Sequence, residues 1–164
     1  KNNFVVDSNP NTAVVEADEF DRSFLTLFPN IAVITSIDAD HLDIYGDSSE
    51  LLRTFQLFAN QVDSRGALII HENIADKISH PKKVVYGVSD SADYQAKNVQ
   101  LFHNKAIFDL YYHGELIYEE LILGISGMHN VLNAVAALAA VFERISLNTK
   151  TEKIDCNFSN VIKN

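Results

Sequence analysis

Four carboxylates stand within six residues near the start of the chain, from Glu16 to Asp21 (EADEFD). They directly follow the apolar run Ala13 to Val15, whose length and β-branched content predict a short buried strand. Ligands gather at the carboxyl ends of strands in α/β sheets, so this position suits a bound cation. We expect Glu16 to be partly buried, where a carboxylate requires a cation or several hydrogen-bond donors. A solvated acidic turn is the alternative interpretation.

A second acidic segment, Asp38-Ala39-Asp40-His41-Leu42-Asp43, follows the apolar run that begins at Ile31. Three carboxylates around the imidazole of His41 predict a site that coordinates a metal or a phosphate. Mg²⁺ prefers oxygen ligands, and a histidine ligand would also suit Mn²⁺. Zn²⁺ is disfavoured because the chain has no cysteine pair and no HExxH motif. A helix cap beside a surface histidine explains the segment about as well.

The third segment, Gly124 to Asn133 (GISGMHNVLN), joins a predicted strand to the start of an apolar helix. Asn130 and Asn133 are three residues apart and share a helix face, so they can present two amides together. An amide offers both a donor and an acceptor, which the edge of adenine requires. An N-cap with one helix-packing asparagine is the alternative. The chain contains no GxxxxGK motif followed by Ser or Thr, so it holds no phosphate loop of that kind.

The elements that must position these segments alternate between strand and helix. We expect strands at 31–37, 67–70 and 83–86, with helices at 48–61 and 74–78 between them. Three further strands, 95–100, 105–111 and 115–123, are joined by hairpin signals. The last helix, 130–143, is apolar on every face and should be buried on every face. The predicted fold class is therefore α/β, a largely parallel nucleotide-binding sheet flanked by helices with a small antiparallel β section.

Charge and cysteine content exclude several classes of partner. The formal net charge is -9 and no block of basic residues is present, which argues against nucleic acid and anionic membranes. The longest apolar stretch, Val131 to Phe142, is interrupted by Asn133, and we expect no membrane span. One cysteine, Cys156, allows no internal disulfide and fits a reducing, cytoplasmic compartment.

Taken together and in order, three motifs resemble the central domain of the Mur ligase family. They are VVEADEFDRSFL at 14–25, ITSIDADHLDIYG at 34–46 and GMHNVLNAVAALAA at 127–140. The resemblance implies an ATP-binding domain with Mg²⁺ as the metal, or Mn²⁺ in its place.

The resemblance also assigns roles to individual residues. It implies that Glu16 and His41 are the metal ligands and thereby the catalytic residues. Asn130 and Asn133 would hold adenine, with His129 beside them. Asp40 and Asp43 would cap the following helix or orient His41.

Within the family the motifs are most similar to the branch that joins L-alanine to UDP-N-acetylmuramate through an acyl phosphate, in peptidoglycan precursor synthesis. The predicted helix after His41 contains Arg53 but no lysine. The resemblance implies this absence for the alanine-adding branch and for the murein-peptide recycling ligase. The recycling ligase, a non-catalytic nucleotide-binding module and a metal-dependent hydrolase remain the alternatives.

For domain organisation we expect residues 1–145 to form the central ATP-binding domain, without its N-terminal phosphate loop. Residues 146–164 should be a linker or the start of a further unit. On this interpretation the chain is a piece of a longer polypeptide. It should fold, bind nucleotide weakly and lack catalytic activity by itself.

Overall fold

The structure, a computed structural model, describes residues 4–6, 12–18, 22–37 and 48–148. Its main sheet has six strands in chain order: β3 (Ile31–Ile34), β4 (Ala67–His71), β5 (Lys83–Gly87), β6 (Tyr94–Leu101), β7 (Ala106–Tyr112) and β8 (Glu115–Leu123). Strands β3 to β6 pair in parallel, and β7 and β8 continue the sheet antiparallel. The predicted parallel sheet with an antiparallel section is confirmed.

Two helices, α1 (Ser48–Asn60) and α2 (Met128–Asn148), cover opposite faces of the sheet. In β4 successive side chains point to opposite faces, so Ala67 and Ile69 join the α2 layer while Leu68 and Ile70 join the α1 layer. All four of these side chains are fully buried. A parallel strand buried on both faces reads as an unbroken apolar run, which is why this strand is visible in the sequence.

The predicted helix at 74–78 is wrong. The segment holds a single 3-10 turn, Glu72–Ile74, followed by loop. Ile74 and Ile78 are both buried in the layer under α1. The four-residue spacing of Ile74 and Ile78 therefore arises because a loop packs both side chains against the core. The same spacing would occur in a helix, so the sequence pattern alone does not separate the two.

The first described strand pair stands apart from the main sheet. Strand β1 (Phe4–Val6) pairs antiparallel with β2 (Ala13–Val15) as a separate two-stranded sheet. The expectation of a buried β2 is wrong, since Val14 and Val15 are 65% and 48% exposed. Glu16, expected to be partly buried, is exposed as well. Within the described part of the chain β2 pairs with β1 alone, and a two-stranded ribbon by itself covers neither of its faces.

Helix α2 is buried on one face rather than on all of them. Val131, Val135 and Ala139 are fully buried against the sheet, whereas Val141 on the other side is 43% exposed. The helix is long and apolar enough, by length and composition, to cross a membrane, which the sequence prediction had excluded. Its packing along β3 to β7 is that of a core helix.

A close backbone approach aligns the starts of β3 and β4. The N–H of Ala67 donates to the carbonyl of Asn30 at 3.1 Å, and the N–H of Asp63 donates to the carbonyl of Pro29 at 3.0 Å. A Cβ on Gly66 would overlap the carbonyl oxygen of Asn30, so this position requires glycine.

Two bulges in the antiparallel section are held by one buried carboxylate. The register shifts once between β6 and β7, beside Asn98, and twice between β7 and β8, one of these shifts beside Glu120. Asn98 and Glu120 both have left-handed backbones, with φ of 51° and 52°. Asp109, in β7 between them, is 8% exposed. Its carboxylate accepts hydrogen bonds from the Asn98 amide at 2.6 Å and from the N–H of Glu120 at 2.8 Å. The backbone bond from Glu120, followed by the bond from Asn98, lowers the pKa of Asp109 below its ordinary value.

Replacing Gly66 tests the close approach. We expect Gly66→Ala to lower the free energy of unfolding by about 3 kcal/mol, because backbone rather than a flexible side chain must move to make room. Urea unfolding followed by circular dichroism measures the loss. Gly124→Ala is the matched control: no atom lies within 4 Å of its added methyl and its backbone is not left-handed. A Gly66→Ala protein as stable as Gly124→Ala would contradict the close approach.

Removing the Asp109 carboxylate should destabilise the chain in a pH-dependent way. Asp109→Ala removes the acceptor of two part-buried hydrogen bonds, and we expect a loss of about 2 kcal/mol at neutral pH. Because the folded pKa lies below the ordinary value of 3.8, the stabilisation is complete above that pH and disappears as the pH falls through the folded pKa. Wild type and variant should therefore converge in urea unfolding at acid pH. The control is Asp76→Ala at an exposed carboxylate, and a difference that stays constant with pH would refute this account.

Candidate functional site

The carboxyl ends of β3, β4 and β5 open into a cleft under the first turns of α2. Its volume is about 340 Å³, at the lower end of the range for small-molecule sites. Ten residues line it: Thr35, Ser36, Ile37, His71, Asn73, Ile74, Tyr86, His129, Leu132 and Asn133. In open α/β sheets this edge is where ligands bind, so topology and cavity agree.

The start of α2 places two polar side chains in the cleft. The carbonyl of Gly127 accepts from the N–H groups of Asn130 and Val131 at 3.1 and 3.2 Å, which begins the helix. Gly127 has φ of 112°, and a Cβ there would press on the ring of His129. His129 and Asn133 are one turn apart on the helix, and both line the cleft.

Asn130 is differently placed from its predicted partner Asn133. Its amide nitrogen donates to the carbonyl of Ser126 at 2.6 Å, closing the loop before α2. It is not among the residues that line the cleft. The side-chain oxygen of Asn130 is not used in that bond. The adenine-binding roles of Asn130, His129 and Asn133 stay predictions.

The predicted metal site is not assembled within the described residues. Glu16 lies in the exposed segment after β2, while His41, Asp38, Asp40 and Asp43 fall outside the described part of the chain. Among the residues that are described, no group of three or more His, Cys, Asp or Glu side chains is placed to hold a metal. The assignment of Glu16 and His41 as metal ligands stays a prediction.

Several lining residues escaped the sequence analysis. Thr35 and Ser36 follow β3, while His71 ends β4 and Asn73 lies in the turn after it. Each of them is a polar residue at or just after the carboxyl end of an apolar run. Ligands gather at the carboxyl ends of strands in α/β sheets, so the reasoning applied to the acidic segments could have found these residues too.

The cleft wall formed by β4 and β5 is firmly held. Tyr86 is 1% exposed, and burial raises its pKa to about 12, so its hydroxyl stays protonated. The rings of His71 and Tyr86 meet edge to face, with centroids 5.2 Å apart. The Nδ1 atom of His71 accepts a hydrogen bond from the N–H of Asn73 at 3.3 Å, which caps the 3-10 turn.

Glu72, next to His71, ties the loop after β5 to this turn. Its carboxylate accepts from the N–H groups of Val88 and Ser89 at 3.1 and 3.0 Å. Burial disfavours its charge, but the hydrogen bonds from Ser89 and Val88 outweigh burial and lower the pKa of Glu72. A Cβ on Gly87 would collide with this carboxylate, so the glycine makes room for it.

The chemistry of the cleft follows from its lining. None of the ten side chains is a lysine, an arginine or a carboxylate. Amide, imidazole and hydroxyl groups offer donors and acceptors beside the apolar Ile37, Ile74 and Leu132. Such a lining suits a neutral, flat heteroaromatic group with polar edges, and it does not suit a bare phosphate, which requires cationic partners or clustered N–H groups.

Comparison with known proteins identifies relatives for nearly the whole chain. Residues 3–141 match the model of the Mur ligase middle domain. The UDP-N-acetylmuramate–L-alanine ligase of Christiangramia forsetii is 46% identical over 130 residues, covering 79% of this chain and 27% of that protein. The solved UDP-N-acetylmuramate–alanine ligase of Thermotoga maritima superposes with a TM-score of 0.68 at 28% identity, over 84% of this chain and 31% of that one.

A more distant structure shares the fold. The MurF ligase of Thermotoga maritima in complex with ADP superposes with a TM-score of 0.58 at 15% identity, over 72% of this chain and 28% of that one. The chain thus spans about three-tenths of the length of the relatives it matches.

Proposed function

We propose that this chain, which belongs to the Mur ligase family as a middle domain, is the adenine-binding part of an ATP-dependent ligase that joins L-alanine to UDP-N-acetylmuramate. The observation that carries the proposal is the cleft at the carboxyl ends of β3 to β5, lined by amide, imidazole and hydroxyl groups, with His129 and Asn133 projecting from α2. The names of the relatives support the alanine-adding branch. The ADP bound to a protein of the same fold supports a nucleotide as the ligand.

The proposed reaction is that of a protein as long as the relatives, of which this chain would be the middle part. The γ-phosphoryl group of ATP is transferred to the muramoyl carboxylate, which gives an acyl phosphate and ADP. The amine of L-alanine then attacks the acyl carbon, an amide bond forms, and inorganic phosphate leaves.

Phosphate approaching a carboxylate requires positive charge between them, and no lysine or arginine is among the ten residues that line the cleft. In the proposal that charge comes from Mg²⁺, or Mn²⁺ in its place, held by Glu16 and His41. We place the reaction in the cytoplasm, where ATP and UDP-linked precursors are available.

Binding of ADP to the chain itself tests the adenine site. In a titration followed by ¹H–¹⁵N NMR, we expect ADP to shift the signals of Asn133, His129 and Thr35 with weak affinity. Asn133→Ala removes an edge donor and acceptor, so the dissociation constant should rise about tenfold. Asn60→Ala, at the exposed end of α1, is the matched control and should bind as wild type does. Shifts confined to residues outside the cleft would contradict the proposed site.

A chimera tests the reaction. This chain would replace the matching segment of the Christiangramia forsetii relative, and phosphate release would be measured with UDP-N-acetylmuramate, ATP and Mg²⁺. We expect release that requires L-alanine and that falls at least a hundredfold in Glu16→Ala and His41→Ala, since each removes a proposed metal ligand. Turnover with L-alanyl-γ-D-glutamyl-diaminopimelate and none with L-alanine would favour the recycling ligase. An inactive chimera that still binds ADP would favour the non-catalytic module.

A further inference from the structure

We propose that His71 recognises the nucleobase, with its Nε2–H donating a hydrogen bond to a ring nitrogen of the purine. The inference rests on the proposed function, because it concerns the same cleft. It adds a recognition residue from the sheet to those that the motif at the start of α2 supplies.

The position of His71 places its side chain in the wall of the cleft. It is the last residue of β4 and lines the cleft. By the alternation of the strand it points to the same face as Ala67 and Ile69, which is the face that α2 covers. The polar atoms of His71 and of Asn133 therefore reach the cleft from two different walls, one from the sheet and one from the helix.

The hydrogen bond at Nδ1 decides which group His71 offers. An N–H that donates to Nδ1 needs the lone pair of that nitrogen, so the ring proton resides on Nε2. The edge-to-face contact with the buried Tyr86 fixes the ring from a second side. His71 thus presents an oriented N–H donor at Nε2.

A purine supplies the matching acceptors. Adenine has ring nitrogens that accept hydrogen bonds, beside one exocyclic amine that donates. Asn133 can satisfy the amine with its amide oxygen, and the Nε2–H of His71 can satisfy a ring nitrogen. The cleft volume of about 340 Å³ has room for the base.

The competing explanation is that His71 serves only to cap the 3-10 turn. The usual capping residues are Asn, Asp, Ser and Thr, which accept the same N–H bond through a short side chain. Histidine caps with Nδ1 and keeps a second nitrogen for another partner. His71→Asn separates the two roles, because asparagine retains the capping acceptor and lacks the reach of Nε2. His71→Gln is the converse variant, with a donor at about the reach of Nε2.

The test is an ADP titration of the chain by NMR, with each variant first checked by its thermal unfolding midpoint. We expect His71→Asn to unfold at the midpoint of wild type and to bind ADP about five- to tenfold more weakly, the loss for one hydrogen bond between neutral groups. We expect His71→Gln to recover most of that affinity. Ring ¹⁵N signals of wild type should show the Nε2–H tautomer before ADP is added and should move at Nε2 when it binds.

Deaza analogues of ADP, in which one ring nitrogen is replaced by C–H, complete the experiment. We expect one of the 1-, 3- and 7-deaza compounds to bind the wild-type chain about five- to tenfold more weakly than ADP binds it. The same compound should bind the His71→Asn variant with the affinity that ADP has for that variant. If each analogue loses the same factor with both proteins while ADP still shifts Asn133, the inference about His71 is overturned and the proposed function stands. If ADP shifts no cleft residue of wild type, the proposed function fails and the inference fails with it.

Discussion

The architecture depends on one strand that is buried on both of its faces. Strand β4 pairs with β3 on one side and β5 on the other, while its side chains enter both helical layers. At roughly 2 kcal/mol for each fully buried large apolar side chain, Leu68, Ile69 and Ile70 together contribute about 6 kcal/mol, comparable to the net stability of a small domain. The contact of Gly66 with Asn30 sets where this strand begins. Because parallel strands end at one edge, the same strand also sets where His71 meets the cleft.

The parts of the fold that sequence reveals are those in which local pattern and burial coincide. The runs 31–34 and 67–70 are apolar without interruption, and the hairpin turn at His113 and Gly114 carries its own signal. The sequence pattern failed to predict burial where it depends on which other strand a strand pairs with. Nothing within Ala13–Val15 specifies that it pairs with Phe4–Val6 in a separate ribbon, which leaves Val14 exposed.

The candidate site divides in a similar way. The residue types at the start of α2 indicated a polar ligand, and His129 and Asn133 do face a cleft. The bond from Asn130 to the Ser126 carbonyl is a loop-closing contact that i, i+3 spacing does not specify. His71 was missed because a lone histidine at the end of a strand has no distinctive pattern. Its contacts with Tyr86 and Asn73 exist only in the folded chain. In the proposed function, the lack of lysine and arginine in the lining separates binding of the base from binding of the phosphates, whose charge is balanced elsewhere.

The bulges around Asp109 affect the shape of the edge strand of the sheet. Strand β8 is the last strand, and it exposes Leu116 and Ile122 beside a row of backbone groups that lack a neighbouring strand within the described part of the chain. A long, flat border of this kind would be a template for pairing with another molecule. The left-handed residue at Glu120 and the charges of Glu115 and Glu119 interrupt that template. By accepting the N–H of Glu120 at 2.8 Å, Asp109 holds this interruption in place from inside the sheet.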